Sequence, residues 1–358
     1  MSGDLRATRP LRTGGKDYVL RNVSRYRRRR SKAPAVSVIV TTYNRLEELK
    51  RALASVAGQT LQDFEIIVAD AGDDGTLWFL RNSGVSARLI SVPGNPGLSA
   101  LMNAGLAVAR GEFVAFLESD DYWLPQYLEA MIGAFKSSEV KSVSCAWWTE
   151  NAHGEFKRFE WKRALFPHPD IAEMRAYPFE LNRFQKRFCA ASSSAEGQKA
   201  SVLNQRDVPP LTKSKHPGAM FYWGWHLSFT MFRRKVFDAL GGFDPALKWA
   251  GVDLDFHARI TLAYGGRAYR RLDEQLGVWT WHPSSLQISA LICNLWSGLP
   301  RDPSLLRRHP QFYRDMLLDE AYFLKKHAAK YEEIESKLPL KNPSATISRS
   351  IKPMKRRR

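Results

Sequence analysis

Two adjacent carboxylates follow an apolar run in the first half of the chain. The run Phe113–Leu117 is succeeded by Glu118-Ser119-Asp120-Asp121. Magnesium and manganese take oxygen ligands, and proteins often hold them by one or two carboxylates together with substrate phosphates. Asp120 and Asp121 therefore predict a divalent-cation site. Spacing alone leaves an alternative open, in which these aspartates turn the chain and cap the helix that begins at Pro125.

Other polar side chains stand where two further predicted strands end. Thr41, Tyr43 and Asn44 follow the first apolar run of the chain, and Asp70 follows the second. In an open α/β sheet, ligands bind outside the carboxyl ends of the strands, so these side chains predict a ligand-binding edge. The chain contains neither of the glycine-rich phosphate motifs, Gly-x-x-x-x-Gly-Lys-Ser/Thr or Gly-x-Gly-x-x-Gly. Some other group must therefore neutralise any bound phosphate.

The elements that position these residues alternate between strand and helix. Apolar, often β-branched runs predict buried strands over residues 36–40, 66–69, 88–92 and 113–117. Amphipathic spacing predicts helices over 46–56, capped by Asn44, and over 98–109. This order predicts an α/β fold over residues 35–135, with a Rossmann-like, mainly parallel sheet flanked by helices. Later, we expect a helix over 253–264, a strand over 270–281 and helical structure over 303–338.

Composition and charge narrow the class of protein. The chain has 358 residues, of which 44% are hydrophobic and 25% charged, which excludes disorder throughout. Its formal net charge is +18, but residues 1–33 contribute +9 and residues 341–358 contribute +7, which leaves +2 for the middle. Three widely spaced cysteines predict neither a disulfide framework nor a zinc finger. No signal peptide or membrane span is apparent, so we expect a cytoplasmic protein that is either soluble or peripheral at the inner face of the cell membrane.

Five segments resemble, in this order, the motifs of family 2 glycosyltransferases with the GT-A fold. The resemblance is strong over residues 35–135 and moderate over 228–290, and it does not extend to the basic ends or to most of 150–220. The segments are VSVIVTTYN (36–44), FEIIVAD (64–70), NPGLSALMNAG (95–105), ARGEFVAFLESDDYWLP (109–125) and GGFDPALKWAGVDLDFHAR (241–259).

The resemblance implies an inverting transfer of a sugar from a nucleoside diphosphate sugar, a UDP- or dTDP-sugar, to an acceptor hydroxyl in polysaccharide, glycolipid or glycoprotein biosynthesis. It also implies a cofactor, Mn²⁺ or Mg²⁺, with Asp120, Asp121 and His282 as candidate ligands. The implied donor-binding residues are Thr41, Tyr43, Asn44, Asp70, Asn103 and Asp120. Two alternatives stay open: Tyr43 as a packing aromatic, and His282 as a structural or surface residue.

By the same resemblance, Asp253 matches the family's catalytic base. Inversion needs one carboxylate that takes the proton from the acceptor hydroxyl as it attacks the anomeric carbon. Asp255 is expected to orient the start of the same helix, and simple capping is the alternative for both aspartates. Trp223 and Trp225 are candidates for stacking on an acceptor sugar, although aromatics in an apolar run are more often core residues.

The expected domain organisation has four parts. They are a flexible basic arm (1–33), a glycosyltransferase domain (34–290), a C-terminal helical extension (291–340) and a basic tail (341–358). Within the domain, residues 34–140 form the nucleotide-sugar half, and 141–290 form the acceptor-side region with a mobile loop near 191–215. The helical extension could lie on a membrane, form a dimer or cover the core.

Two other functions compete with the glycosyltransferase. A nucleotidyltransferase needs a glycine-rich signature after the first strand, and Thr41–Asn44 provides none. A basic-tailed nucleic-acid- or membrane-binding protein with a non-catalytic nucleotide-binding fold would bind in a strongly salt-dependent way. Because the positive charge of this chain lies in its two ends, we expect those ends to bind an anionic membrane surface rather than nucleic acid. Each basic residue near the lipid would contribute about 1 kcal/mol of binding free energy.

Overall fold

A single mixed sheet organises the part of the chain that is described. The computed structural model describes residues 9–13, 16–22, 33–150, 156–158 and 226–280, and the helical residues 315, 319, 322, 323, 326–330, 333, 334 and 337. Eleven strands of these residues form the sheet, in the order β1-β2-β5-β4-β3-β6-β10-β8-β11-β7, and β9 pairs with β8.

The strands and helices have the following bounds. The strands are β1 Arg9–Thr13, β2 Lys16–Asn22, β3 Val36–Thr42, β4 Phe64–Asp70, β5 Ala87–Ser91, β6 Phe113–Glu118, β7 Tyr122–Trp123, β8 Ser142–Glu150, β9 Phe156–Arg158, β10 Thr230–Arg233 and β11 Tyr269–Thr280. The helices are α1 Leu46–Ala57, α2 Thr76–Asn82, α3 Leu98–Leu106, α4 Tyr127–Gly133, α5 Arg234–Leu240 and α6 Val252–Tyr264. The α/β fold with flanking helices is thus confirmed.

Parallel pairing is confined to two parts of this sheet. Strands β5, β4, β3 and β6 pair in parallel, as expected where a helix follows each of the first three strands. After α4 the alternation of strand and helix stops, and β10 inserts antiparallel between β6 and β8. β11 then pairs in parallel with β8. The sheet is therefore parallel at its centre and mixed as a whole.

The hydrophobic core lies on both faces of the central strands. Successive side chains of a strand point to opposite faces, so Ile39 of β3 joins the cluster under α3, α5 and α6. Val38 and Val40, its neighbours in β3, join the cluster on the other face, together with Leu53 of α1. Burial on both faces explains why β3 is mostly apolar up to Val40. Because β3, β4 and β6 run parallel, the polar residues that follow these strands lie at one edge of the sheet.

Described residues near both ends of the chain contact the sheet or its core, in the segments predicted to be an arm and a helical extension. β1 and β2 lie within the segment predicted to be a flexible arm: they pair with each other, and β2 pairs with β5. Backbone hydrogen bonds pair these strands, and such pairing does not require a run of large aliphatic side chains. Near the other end, Phe323 and Ile334 are buried in the core, so these residues cover it. Among the described residues, no helix is both long and apolar enough to cross a membrane.

Candidate active site

The structure brings the predicted polar residues to one edge of the central sheet. Thr41 is in register with Glu118, and Thr42 with Asp70. Asp120 and Asp121 lie in the turn between β6 and β7, where the backbone N–H of Asp121 donates to the carbonyl of Glu118 (3.0 Å). The carboxyl ends of β3, β4 and β6 therefore carry four acidic side chains: Asp70, Glu118, Asp120 and Asp121.

Asp121 is the most deeply buried of these acids, and half of its carboxylate is unsatisfied. Its Oδ1 accepts a hydrogen bond from the backbone N–H of Thr280 (3.2 Å), at the end of β11. Among the described residues its Oδ2 forms no hydrogen bond of normal geometry. The polar groups beside the carboxylate are the Ser228 side chain, which acts to lower the pKa of Asp121, and Nδ1 of His226, 3.8 Å away. Burial lowers the pKa of His226 to about 4, so this ring is neutral near pH 7 and does not offset the charge.

The cluster Glu118, Asp120 and Asp121 brings together more carboxyl groups than the neighbouring cations can pair with. Burial, followed by the charge of Asp120, raises the pKa of both Glu118 and Asp121, to about 8 for Glu118. Arg45 pairs with Asp120 Oδ2. A second cation, Arg51, donates instead to the backbone carbonyl of Asp120 (2.9 Å). One carboxylate of the cluster is thus paired, and a buried carboxylate oxygen of Asp121 is left without a donor.

These side chains fit a divalent cation. A buried polar atom without a partner requires an explanation, and a bound ion provides one. The described residues contain no group of three or more His, Cys, Asp or Glu placed to hold a metal by themselves. Magnesium characteristically binds through one or two carboxylates plus substrate phosphates and water, so two aspartates are an adequate protein contribution.

Asp253 lies in the first turn of α6, after Gly251, whose φ of 69° lies in the left-handed region. Its Oδ1 accepts a hydrogen bond from the backbone N–H of Leu254 (2.8 Å), and no basic side chain pairs with it within the described ranges. Burial raises the pKa of Asp253 to about 6. Its charge contributes to the raised pKa of Glu118, so α6 directs this carboxylate towards the acidic cluster.

The predicted donor-binding residues have different surroundings. Tyr43 is 44% exposed, whereas Thr41 is buried. Asp70 accepts from the backbone N–H of Gly72 (2.7 Å), and burial raises its pKa to about 6. Asn44 does not cap α1: its side-chain oxygen accepts from the backbone N–H of Asp73 (2.9 Å), and α1 begins without a side-chain cap.

Asn103 makes two hydrogen bonds to one residue. Its Oδ1 accepts from the N–H of Phe243, and its Nδ2 donates to the carbonyl of Phe243, both at 2.8 Å. The side chain therefore ties α3 to the loop that precedes Asp244, and its contact with a donor stays a prediction. His282, Trp223, Trp225 and the loop near 191–215 lie outside the described residues.

Two arginines, which were not predicted as site residues, organise this edge. Arg51 of α1 also donates to Thr280 Oγ1 (2.9 Å), and its guanidinium pairs with Glu150 (3.3 Å) and covers the ring of Tyr122 (4.8 Å from the centroid). The sequence offered a signal for Arg45, because this residue directly follows Asn44 at the end of a predicted strand. For Arg51 no local signal existed, because its partner Thr280 is 229 positions away in the chain.

Comparisons with known proteins find similarity to glycosyltransferases over the part of the chain that contains the central strands. Residues 37–195 match the family model described as Glycosyl transferase family 2. An uncharacterized glycosyltransferase of Nostoc sp. is 36% identical over 112 residues, which are 30% of this chain and 35% of that protein. The UDP-Glc:alpha-D-GlcNAc-diphosphoundecaprenol beta-1,3-glucosyltransferase WfaP of Escherichia coli is 30% identical over 29% of this chain and 43% of its own length.

The chain thus matches less than half the length of each of these curated relatives. Among solved structures, the mannosyltransferase PcManGT of Pyrobaculum calidifontis, in complex with GDP-Man and Mn²⁺, has a TM-score of 0.45 at 18% identity. That comparison covers 86% of this chain and 76% of the mannosyltransferase.

Proposed function

We propose, on the premise that this chain carries a family 2 glycosyltransferase domain of the GT-A fold, that it transfers a sugar from a nucleoside diphosphate sugar to an acceptor hydroxyl with inversion. The observation that carries the proposal is the unsatisfied, buried Oδ2 of Asp121, beside Asp120 and Glu118, at the carboxyl ends of the central strands. A site that binds a metal–diphosphate complex explains why these carboxylates are kept together without enough cations.

In this proposal Asp121 and Asp120 hold Mn²⁺ or Mg²⁺, and His282 remains a candidate third ligand. The ion, when bound, supplies Lewis-acid stabilisation of the negative charge on the leaving diphosphate. The Thr280 N–H holds Asp121 Oδ1, which leaves Oδ2 available, and Arg51 holds the Asp120 carbonyl. The protein's own contribution is therefore an oriented pair of carboxylates in a site partly shielded from water.

Asp253 is proposed as the base that accepts the proton of the acceptor hydroxyl. A general base works best when its pKa lies close to the operating pH, and burial raises the pKa of Asp253 to about 6. Near pH 7 the carboxylate is then still mostly ionised, yet more basic than an exposed aspartate. The absence of a paired cation among the described residues keeps its oxygen available.

The donor is proposed to be a UDP- or dTDP-sugar, bound by Thr41, Tyr43, Asn44, Asp70, Asn103 and Asp120. The relative from Escherichia coli supports the uridine alternative, since its name specifies UDP-Glc as donor. The same name specifies an acceptor that carries diphosphoundecaprenol, which supports a lipid-linked acceptor here. The strongly basic ends of this chain would then hold the enzyme beside anionic lipid, and Trp223 and Trp225 are proposed to contact the acceptor sugar.

Titration calorimetry with UDP, dTDP and GDP tests the donor site. We expect at least one nucleoside diphosphate to bind about tenfold more tightly with Mn²⁺ than with a chelator, and Asp121→Asn to abolish that difference. Glu112→Gln is the matched control, because Glu112 directly precedes β6 and is largely exposed at the end of that strand opposite Glu118. Binding that is insensitive to metal for every nucleotide would contradict the proposal.

A further inference from the structure

One buried carboxylate from the C-terminal extension binds three consecutive backbone amides. Oδ2 of Asp319 accepts hydrogen bonds from the N–H groups of Lys248 (2.9 Å), Trp249 (2.6 Å) and Ala250 (3.1 Å). Asp319 is 3% exposed, and its backbone is helical. Residues 248–250 form the loop that directly precedes α6, and this loop is called the 248–250 loop below.

The 248–250 loop is also held from its other side. The carbonyl of Lys248 accepts from the N–H of Leu98, at the start of α3 (2.6 Å). A Cβ at Gly97 would come within 2.7 Å of the same carbonyl, so only glycine permits this close approach. The loop therefore lies between the first residue of α3 and Asp319, and each side supplies hydrogen bonds to its backbone.

The position of this loop determines where α6 begins. Gly251 follows it with a φ of 69°, and its carbonyl accepts the first helical hydrogen bond of α6, from the N–H of Asp255 (2.8 Å). A Cβ at Gly251 would lie 3.4 Å from the ring of Phe323, another helical residue of the C-terminal extension. Asp253 comes two residues after Gly251, so a shift of the loop moves its carboxylate.

Further contacts tie the same part of the extension to both flanks of the loop. Lys326 pairs with Asp255 (2.6 Å) and with Asp244 (2.7 Å), and His327 Nε2 lies 2.9 Å from Asp255 Oδ1. Phe323 follows Asp319 by four residues, and Lys326 and His327 follow Phe323 by three and four, which places all of them on one face of a helix. That face contacts the chain from Asp244 to Asp255.

A helix that only covers the core does not need Asp319. Phe323 and Ile334 already bury apolar side chains there, while a carboxylate in the same interface has to be desolvated. Burial raises the pKa of Asp319 to about 6 even with three amide donors, so its desolvation is not fully compensated. The three hydrogen bonds are directed at the backbone of one loop, and this specificity points to a role in placing that loop.

We infer that Asp319 is a positioning residue: it fixes the 248–250 loop and thereby places the carboxylate of Asp253 at the acidic cluster. The inference rests on the proposed role of Asp253 as base. It gives one residue of the C-terminal extension, Asp319, a role in positioning the proposed base, although Asp319 lies beyond the segment that matches the family model.

Steady-state kinetics of full-length variants test this inference. A displacement of about 1 Å can cost about 100-fold in rate, so Asp319→Ala should lower kcat by about 10- to 100-fold while the donor KM stays within about threefold. Asp319→Asn keeps an acceptor oxygen at the same place and should restore kcat to within about fivefold of wild type. Glu333→Gln, which alters a surface pair with Lys337, is the control and should match wild type. An unchanged kcat in Asp319→Ala overturns the inference.

A double-mutant cycle separates positioning from general damage. If Asp319 acts through Asp253, adding Asp319→Ala to Asp253→Asn should reduce the residual rate by less than about threefold, because the group to be positioned is already lost. A second full loss of rate in the double variant contradicts the inference.

Hydrogen exchange gives a readout that does not depend on turnover. Peptides spanning 244–258 should exchange faster in Asp319→Ala and, if that variant does not fold, in Asp319→Glu, whose longer side chain displaces the acceptor. Unchanged exchange overturns the loop contact. A wild-type enzyme that releases no nucleoside diphosphate from any donor refutes the proposed function instead, and the exchange measurement still decides whether Asp319 holds the loop.

Discussion

Asp253 and Asp255 stand two residues apart at the start of the same helix, yet their surroundings are opposite. Asp255 is fully buried and contacts Arg259 (2.8 Å), Lys326 (2.6 Å) and His327 (2.9 Å), and these partners lower its pKa to about 2. Asp253 has no basic partner among the described residues, and burial raises its pKa to about 6. One carboxylate stabilises the fold, and the other has the unpaired surroundings that the proposed base requires.

The same contrast separates two ends of the central sheet. Glu65, at the start of β4, accepts hydrogen bonds from Ser37 (2.7 Å), Arg88 (2.8 Å) and Arg110 (2.8 Å). At the other end, Glu118 and Asp121 have raised pKa values, and Asp121 has an unsatisfied oxygen. Functional sites commonly retain such destabilising groups, so the contrast distinguishes the carboxylates of the scaffold from those of the site.

The largest expected effect is on turnover and distinguishes the two aspartates of α6. Asp253→Asn should lower kcat by about 1,000-fold, because a general base contributes about 100- to 10,000-fold, while binding of the nucleoside diphosphate is unchanged. Asp255→Asn removes the same charge from the same helical turn and should cost less than about tenfold. Steady-state rates and calorimetry on both variants check this; equal losses would remove the distinction.

The second effect is on stability, where Asp255→Asn should have the larger effect and Asp253→Asn the smaller. Asp255→Asn should lower the free energy of unfolding by about 2 kcal/mol, the size that its lowered pKa implies, because Lys326 and Arg259 lose their shared partner. Asp253→Asn should not destabilise the fold. Urea unfolding at pH 7 measures both values, and a more stable Asp255→Asn variant would contradict the assignment of Asp255 to the scaffold.

In the metal-free protein, Asp121→Asn should stabilise the fold, whereas Asp255→Asn should destabilise it. Removing a buried, poorly compensated charge should raise the melting temperature by about 2–4 °C, which corresponds to about 1 kcal/mol in a domain of this size. The same variant should lose the stabilisation that Mn²⁺ with a nucleoside diphosphate gives the wild type. Differential scanning calorimetry with and without Mn²⁺ checks both; a lower melting temperature without metal would count against an unsatisfied charge.

The smallest effect is a pH dependence whose sign differs between the two aspartates. The pKa of Asp253 is higher in the folded than in the unfolded chain, so its protonation stabilises the fold as the pH falls from 7 to 5, by about 1 kcal/mol. The pKa of Asp255 is lower when folded, so its contribution is present above pH 4 and is lost between about pH 4 and 2. Unfolding curves of Asp253→Asn and Asp255→Asn across this range should each lack one of the two trends.

What the sequence predicts depends on how far apart the interacting residues are. The runs around Val38, Ile67 and Phe116 carry their own strand signal, because both faces of a central strand are buried, and the acids that follow them are placed by the strands themselves. The antiparallel insertion of β10 has no such local signal, since β10 begins 112 positions after its neighbour β6 ends.

The site shows the same limit. Asp120 and Asp121 are recognisable as adjacent carboxylates, but the partners of Arg51 and the three amides bound by Asp319 lie 69 to 229 positions away. Asn44 illustrates a local signal that a more distant contact overrides: its spacing to Glu47 is that of a helix cap, yet its side chain binds the backbone of Asp73. Which carboxylates are paired could therefore not be deduced from spacing.

The most direct test of the central claim is a screen of UDP-, dTDP- and GDP-sugars for release of nucleoside diphosphate by the full-length protein, with Mn²⁺, with Mg²⁺ and with a chelator. The strand-end carboxylates predict release from at least one donor that depends on the metal and disappears in Asp121→Asn. Release that continues in the chelator and in Asp121→Asn, or no release from any donor, would contradict the claim.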